Sequence, residues 1–197
     1  MKALIKSIIL VLIFGISGCI ENKDFDFTLP VKIEPEFSIN EQDGTWQEIY
    51  TVTYNDIADA VDDLDDDINF QDISIEGVTL VLRNQDPSLS GVQHVDLILV
   101  DPQGQNHTIF SDEEIMITAG QTTTEVVVTG LVQSGVIAIR DLLEGYAASS
   151  SFDSFVLVSS GNSLPAGTPL SMELTAVLHM SLNYSEGFDV PYFLGNE

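Results

Sequence analysis

Leu170-Ser171-Met172-Glu173-Leu174-Thr175-Ala176-Val177-Leu178-His179-Met180-Ser181-Leu182-Asn183-Tyr184 alternates without a break. Every even position is apolar or aromatic. The odd positions are mostly polar: Ser171, Glu173, Thr175, His179, Ser181 and Asn183, with Val177 the exception. A period of two puts successive side chains on opposite faces of a strand, so one face is buried and the other mostly solvated. One-sided burial belongs to antiparallel sheets. Fifteen residues at strand rise span about 50 Å, long for a globular strand. The length predicts either a bend or a strand shared between two sheets.

The same alternation recurs outward from this segment. Trp46 to Tyr54 carries Tyr50, Val52 and Tyr54 on one face. In Ile73 to Arg83 the apolar phase is odd at Ile73 and Ile75, then even at Val78, Leu80 and Leu82. The flip at Gly77 predicts a bulge. Val92 to Val100 and Asn106 to Phe110 flank Asp101-Pro102-Gln103-Gly104, whose Pro and Gly fit a type I turn, so the two form a hairpin. Thr122 to Leu131 and Ser154 to Ser159 add strands. Val31 to Ile39 is an edge strand, because Pro35 has no N–H for a ladder. Two segments have helical spacing: Asn55 to Ile68 through Ile57, Val61, Leu64 and Ile68, capped by Asn55 or Asp56, and Ser134 to Ala147 through Val136, Ile139, Leu143 and Tyr146. Turn signals every 8–12 residues make the chain mainly β: an antiparallel, Greek-key-like β-sandwich (Ig-like) with two short helices.

The 197 residues carry 6 Lys and Arg against 31 Asp and Glu. A surface this negative repels phosphate backbones, which excludes nucleic acid as a partner. It suits either a well-solvated exterior in a saline environment or a surface that collects Ca²⁺. The densest cluster runs from Asp56 to Asp72 and includes Asp63, Asp65 and Asp67. An EF-hand loop starting at Asp62 would need Gly at its sixth position and Glu at its twelfth, where Asp67 and Ile73 stand. The cluster reads first as the solvated face of the helix. Asp63, Asp65 and Asp67 are the residues for a weak Ca²⁺ site, since like charges crowded at a helix C-terminus call for compensation.

At the N-terminus Lys2 and Lys6 precede the apolar run Ile8 to Phe14, then Ile16-Ser17-Gly18-Cys19. The run is shorter than a bilayer span and has the length of a signal-peptide core. Ile16-Ser17-Gly18-Cys19 resembles the lipobox of bacterial lipoproteins. That resemblance covers residues 1–19. It implies a signal peptide at 1–18, cleavage before Cys19, and acylation of its sulfur and of the new amino terminus. Residues 19–28 are then a lipidated tether, and 29–197 the β-sandwich domain. Loss of Lys2 and Lys6 leaves 4 basic against 31 acidic residues, a net charge of −27. The resemblance implies a cell-envelope address, lipid-anchored at the outer membrane of a Gram-negative cell, with the leaflet open. Cys19 is the only cysteine, so acylation removes thiol chemistry from the chain. The layout also resembles uncharacterised envelope lipoproteins with sandwich folds.

Catalytic signals are sparse. There is no G-x-S-x-G elbow and no phosphate-binding glycine loop before a helix. Ser159-Ser160-Gly161-Asn162-Ser163 reads as a turn. If Val100 pairs with Gln105, then His107 lies opposite Ile98, and His94, Asp96 and His107 share one face; they read first as surface polar residues of the sheet, with a metal set as the alternative. His179 stands alone on the polar face of the long strand. The first expectation is a non-enzymatic binding or structural module without a cofactor, partnered by the membrane through its lipid and by an envelope protein or glycan. Its working surface is end loops or an edge strand, with Phe188, Tyr192 and Phe193 either in a contact or capping the core. The second is a secreted, Ca²⁺-dependent carbohydrate-binding module or hydrolase, for which Trp46 would line a groove beside carboxylates.

Overall fold

The computed structural model describes residues 20–60, 69–149 and 154–191. Its spine is β9 (Leu170–Pro191), the segment whose alternation is strongest. On one side β9 takes two partners in line. β1 (Ile20–Ile33) runs antiparallel to Leu178–Pro191, and β2 (Glu36–Glu41) to Leu170–Thr175. The break between them falls at Glu34-Pro35. Pro35 cannot donate, but its carbonyl accepts the Ala176 amide at 3.1 Å. The expected edge strand over 31–39 is therefore two strands divided at its proline. On the other side of β9 lies β4 (Asn69–Asn84), and beyond it the edge strand β7 (Thr123–Val127). The long strand is not shared between two sheets. Its length is taken up by successive neighbours in one sheet. The register of β4 on β9 shifts between Ile75 and Gly77, where the apolar phase of the sequence flips.

The second sheet has the order β3 (Thr45–Val52), β8 (Phe155–Leu164), β5 (Gly91–Val100), β6 (Asn106–Ile117). Both sheets are antiparallel, and together they form the expected Greek-key sandwich. The orders β1-β9-β4-β7 and β3-β8-β5-β6 wind it as a jelly roll, not as an immunoglobulin sandwich. First and last described strands are neighbours, and β5–β6 is the one pair of sequence-adjacent strands that hydrogen-bond among those described. Residues 20–28, expected as a tether, are the first part of β1, so strand pairing begins at Ile20.

The inner faces meet in one core. Phe37, Ile39, Leu80, Leu82, Leu174 and Leu178 come from the larger sheet, and Val52, Leu97, Leu99, Phe110, Phe155 and Leu157 from the smaller. Helix α2 (Gln133–Ser149) packs on β4, β5 and β6 and adds Ile139 and Leu143 to that core. Leu174, fully buried on the spine, sets the scale of this packing. Leu174→Ala is expected to cost about 2–5 kcal/mol, read as a lower urea midpoint at unchanged slope.

Helix α1 (Tyr54–Ala60) follows β3 directly. Its cap is Thr53, two or three residues before the predicted Asn55 or Asp56. Asp56 is the third helical residue, and its Oδ2 accepts both the Thr53 amide and the Thr53 hydroxyl at 2.6 Å. That is the returning half of a capping box, with aspartate in place of glutamate. Tyr50 donates its hydroxyl to Asp56 Oδ1 at 2.7 Å. Burial, helped by Asp56, pushes the Tyr50 phenol up to about 12. Burial alone would raise the Asp56 carboxyl, but the Thr53 and Tyr50 hydrogen bonds outweigh it and hold the group below 3.8. An acid that ionises more readily folded than unfolded stabilises the fold above its unfolded pKa. That contribution is lost as pH falls through the folded value. Asp56→Asn is therefore expected to flatten the decline in urea midpoint below about pH 4, measured across an acid series. Tyr54, expected on the strand face with Tyr50 and Val52, is instead the first residue of α1 and is exposed.

Candidate functional site

The outward face of the smaller sheet gathers the most chemistry among the described residues. On β5 the inward positions are Gln93, Val95, Leu97 and Leu99, which leaves His94, Asp96, Ile98 and Val100 outward. Pairing extends each outward residue into a row across the sheet. One row is Ile49, Val158, Ile98 and Thr108, and the next is Thr51, Val156, Val100 and Asn106. Ile49, on edge strand β3, is 62% exposed. These two rows carry no charge. Beside them run polar rows: Gln47, Ser160 and Asp96, then Thr45, Asn162, His94 and Glu114.

His94 and Asp96 are tied together by a residue that the strand pattern did not single out. Asp112 sits at a bulge of β6 with φ of 58°, a left-handed conformation that aspartate tolerates better than most residues. Its amide donates to Asp96 Oδ1 at 2.9 Å, and its Oδ1 lies 2.7 Å from His94 Nδ1. The pair fixes which ring nitrogen of His94 faces the carboxylate. One sequence signal marks this stretch as irregular: Ile109 and Phe110 are consecutive apolar residues, and both are buried. Strict alternation forbids that, and the register shifts on either side of Leu97 allow it.

The expected metal set does not form. The turn at Asp101 has the predicted shape, with the Gly104 amide on the Asp101 carbonyl at 2.9 Å. Gly104 then turns left-handed at φ 78° and adds a residue to the loop, so Val100 pairs with Asn106 rather than Gln105. His107 moves opposite Leu99, an inward position, and so onto the other face from His94 and Asp96. It meets Asp101 instead, with Nε2 3.0 Å from Oδ2. Asp101 also accepts the Gln103 and Gln105 amides, at 3.0 and 2.7 Å. The His107 hydrogen bond first, then the Gln105 amide, hold its carboxyl below the usual value. Among the described residues no three His, Cys, Asp or Glu side chains converge as a metal site.

Other expected sites fall elsewhere. His179 is not alone, since its Nε2 lies 2.9 Å from the Thr79 hydroxyl on β4. Ser159 to Ser163 is strand, not turn, within β8. Trp46 is 5% exposed and faces the core over Gly161, so it lines no external groove. Cys19, the cluster Asp63, Asp65 and Asp67, and Tyr192 and Phe193 lie outside the described residues. Phe188 lies on β9 opposite Lys23. No described helix is long and apolar enough to cross a membrane.

No family model matches the chain, and no curated protein does. Solved structures similar to it include a viral capsid protein and virus particles. The BFDV capsid protein in its 60-mer form aligns over 88% of this chain and 98% of its own, at 10% identity and a TM-score of 0.34. Desmodium yellow mottle tymovirus aligns over 89% and 93%, at 7% identity and a TM-score of 0.30. The infectious bursal disease virus VP2 subviral particle aligns over 83% of this chain and 38% of that one, at 14% identity and a TM-score of 0.34. Scores this low give no ground for transferring any property to this chain.

Proposed function

We propose that this chain is a lipid-anchored, non-enzymatic binding or structural module of the bacterial cell envelope. The observation that carries the reading is the segment Ile16-Ser17-Gly18-Cys19, which stands immediately before the first residue of β1. With Cys19 acylated, the anchor passes into the jelly roll without an intervening linker, which keeps the sandwich close to the bilayer. Acyl chains contribute about 0.8 kcal/mol per buried CH₂, and two or more make anchoring stable. The working surface is the outward face of β3 and β8, where exposed Ile49 and half-buried Val158 sit at a sheet edge that offers both apolar contact and unpaired backbone groups.

Site-specific photocrosslinking in cells tests the binding half of this reading. A photoreactive residue at position 49 is expected to give a discrete adduct, and one at Glu125, on edge strand β7 of the other sheet, none. Equal labelling at both positions, or none at 49, would contradict it.

A further inference from the structure

Two buried side-chain polar atoms among the described residues reach no hydrogen-bond partner, Trp46 Nε1 and Gln93 Oε1. They are complementary, because an indole N–H only donates and an amide oxygen only accepts. Both residues are almost fully buried, at 5% and 1% exposure. Stripping water from such atoms without replacement is costly, so native interiors pair them with protein or with ordered water.

The strand register makes them neighbours. Trp46 on β3 lies opposite Gly161 on β8, and Gly161 lies opposite Val95 on β5. Gln93 is the next inward residue of β5 and pairs with Ser163. Gly161 has no side chain, and the indole occupies the space one would take. Its Cζ2 and Cε2 lie 2.6 and 2.8 Å from the position of a Cβ at 161. Cε2 is the carbon bonded to Nε1, so the N–H edge of the ring lies over β8 at Gly161, one inward step along the sheet from the row of Gln93 and Ser163. Ser163 is 2% exposed, and its own bond to the Pro165 carbonyl is long, at 3.4 Å.

We infer that Trp46 Nε1 and Gln93 Oε1 hold one buried water molecule between them, with the Ser163 hydroxyl as its third partner. The water accepts the indole proton, donates one proton to the Gln93 amide oxygen and directs the other at Ser163. Three partners are the usual number for a buried water. The bridge couples edge strand β3 to β5 across the one β8 position that lacks a side chain. It also accounts for a glutamine among the inward residues of β5.

Trp46 is the only tryptophan, so the indole N–H gives a single resonance. A nitrogen-edited ROESY spectrum of the full chain in detergent is expected to show a dipolar cross-peak from that proton at the water frequency, of opposite sign to chemical exchange. Gln93→Met is expected to remove it. A cross-peak of exchange sign only, no cross-peak in the unsubstituted protein, or one unchanged in Gln93→Met would overturn the inference.

Discussion

Gly161→Ala is expected to lower stability by about 3 kcal/mol or more, at the upper end of the cost of overpacking a core. Two contacts make the site unforgiving. An added Cβ would overlap the His94 carbonyl oxygen and come within 2.6 Å of Trp46 Cζ2. The indole could turn aside by changing rotamer. The carbonyl could not, because it belongs to β5, where His94 pairs with Asn162 on β8 and Glu114 on β6. Moving it means separating two strands at the centre of the smaller sheet. Trp46→Leu is therefore expected not to rescue Gly161→Ala, although it removes the ring from the contact. Urea unfolding of the single and double variants checks both statements. A midpoint for Gly161→Ala within experimental error of the unsubstituted chain would show that the two strands are not packed as described.

Cys19→Ser is expected to move the protein from the membrane pellet to the soluble fraction of cell lysates, a change from nearly complete to negligible membrane association. The size of the effect follows from the chemistry of anchoring. A single myristoyl chain binds a membrane only marginally, whereas several chains hold essentially all of the protein there. The described residues offer no substitute attraction. With 31 acidic residues the chain is repelled by anionic headgroups, and no described helix is a membrane span. A serine takes neither the thioether nor the acyl groups that follow it. Persistence of Cys19→Ser in the pellet after a high-salt wash would mean that something other than lipid holds the chain there.

How far the sequence reveals the fold differs from one segment to another. The alternation of Leu170 to Tyr184 identifies the central strand, because burial on one face and solvent on the other leave a period of two in the residues themselves. Pro35 and Gly77 are legible for the same reason: each changes local backbone geometry in a way its chemistry dictates. Strand order is less so. Which sheet each strand joins depends on contacts between residues as far apart as Phe27 and Tyr184, whose rings stack at 5.4 Å, and local pattern carries no such information. The jelly-roll winding is invisible for that reason, although a Greek-key sandwich is not.

The histidine face shows how little error a site can bear. Glycine at 104 is plain in the sequence, and its left-handed turn adds one residue to the loop between β5 and β6. That single residue carries His107 from the face of His94 to the other. Asp112 completes the cluster on the outward face only because β6 bulges there, and its own neighbours in sequence do not announce it. The proposed lipid site is the opposite case, since the resemblance that suggests it lies in four contiguous residues, Ile16-Ser17-Gly18-Cys19.

Intact mass spectrometry of the full chain extracted in detergent from its native membrane tests the account most directly. The predicted species begins at residue 19 and carries a diacylglyceryl group on sulfur and a fatty acyl group on nitrogen. A species that retains residues 1–18, or one with a free thiol at position 19, would contradict it.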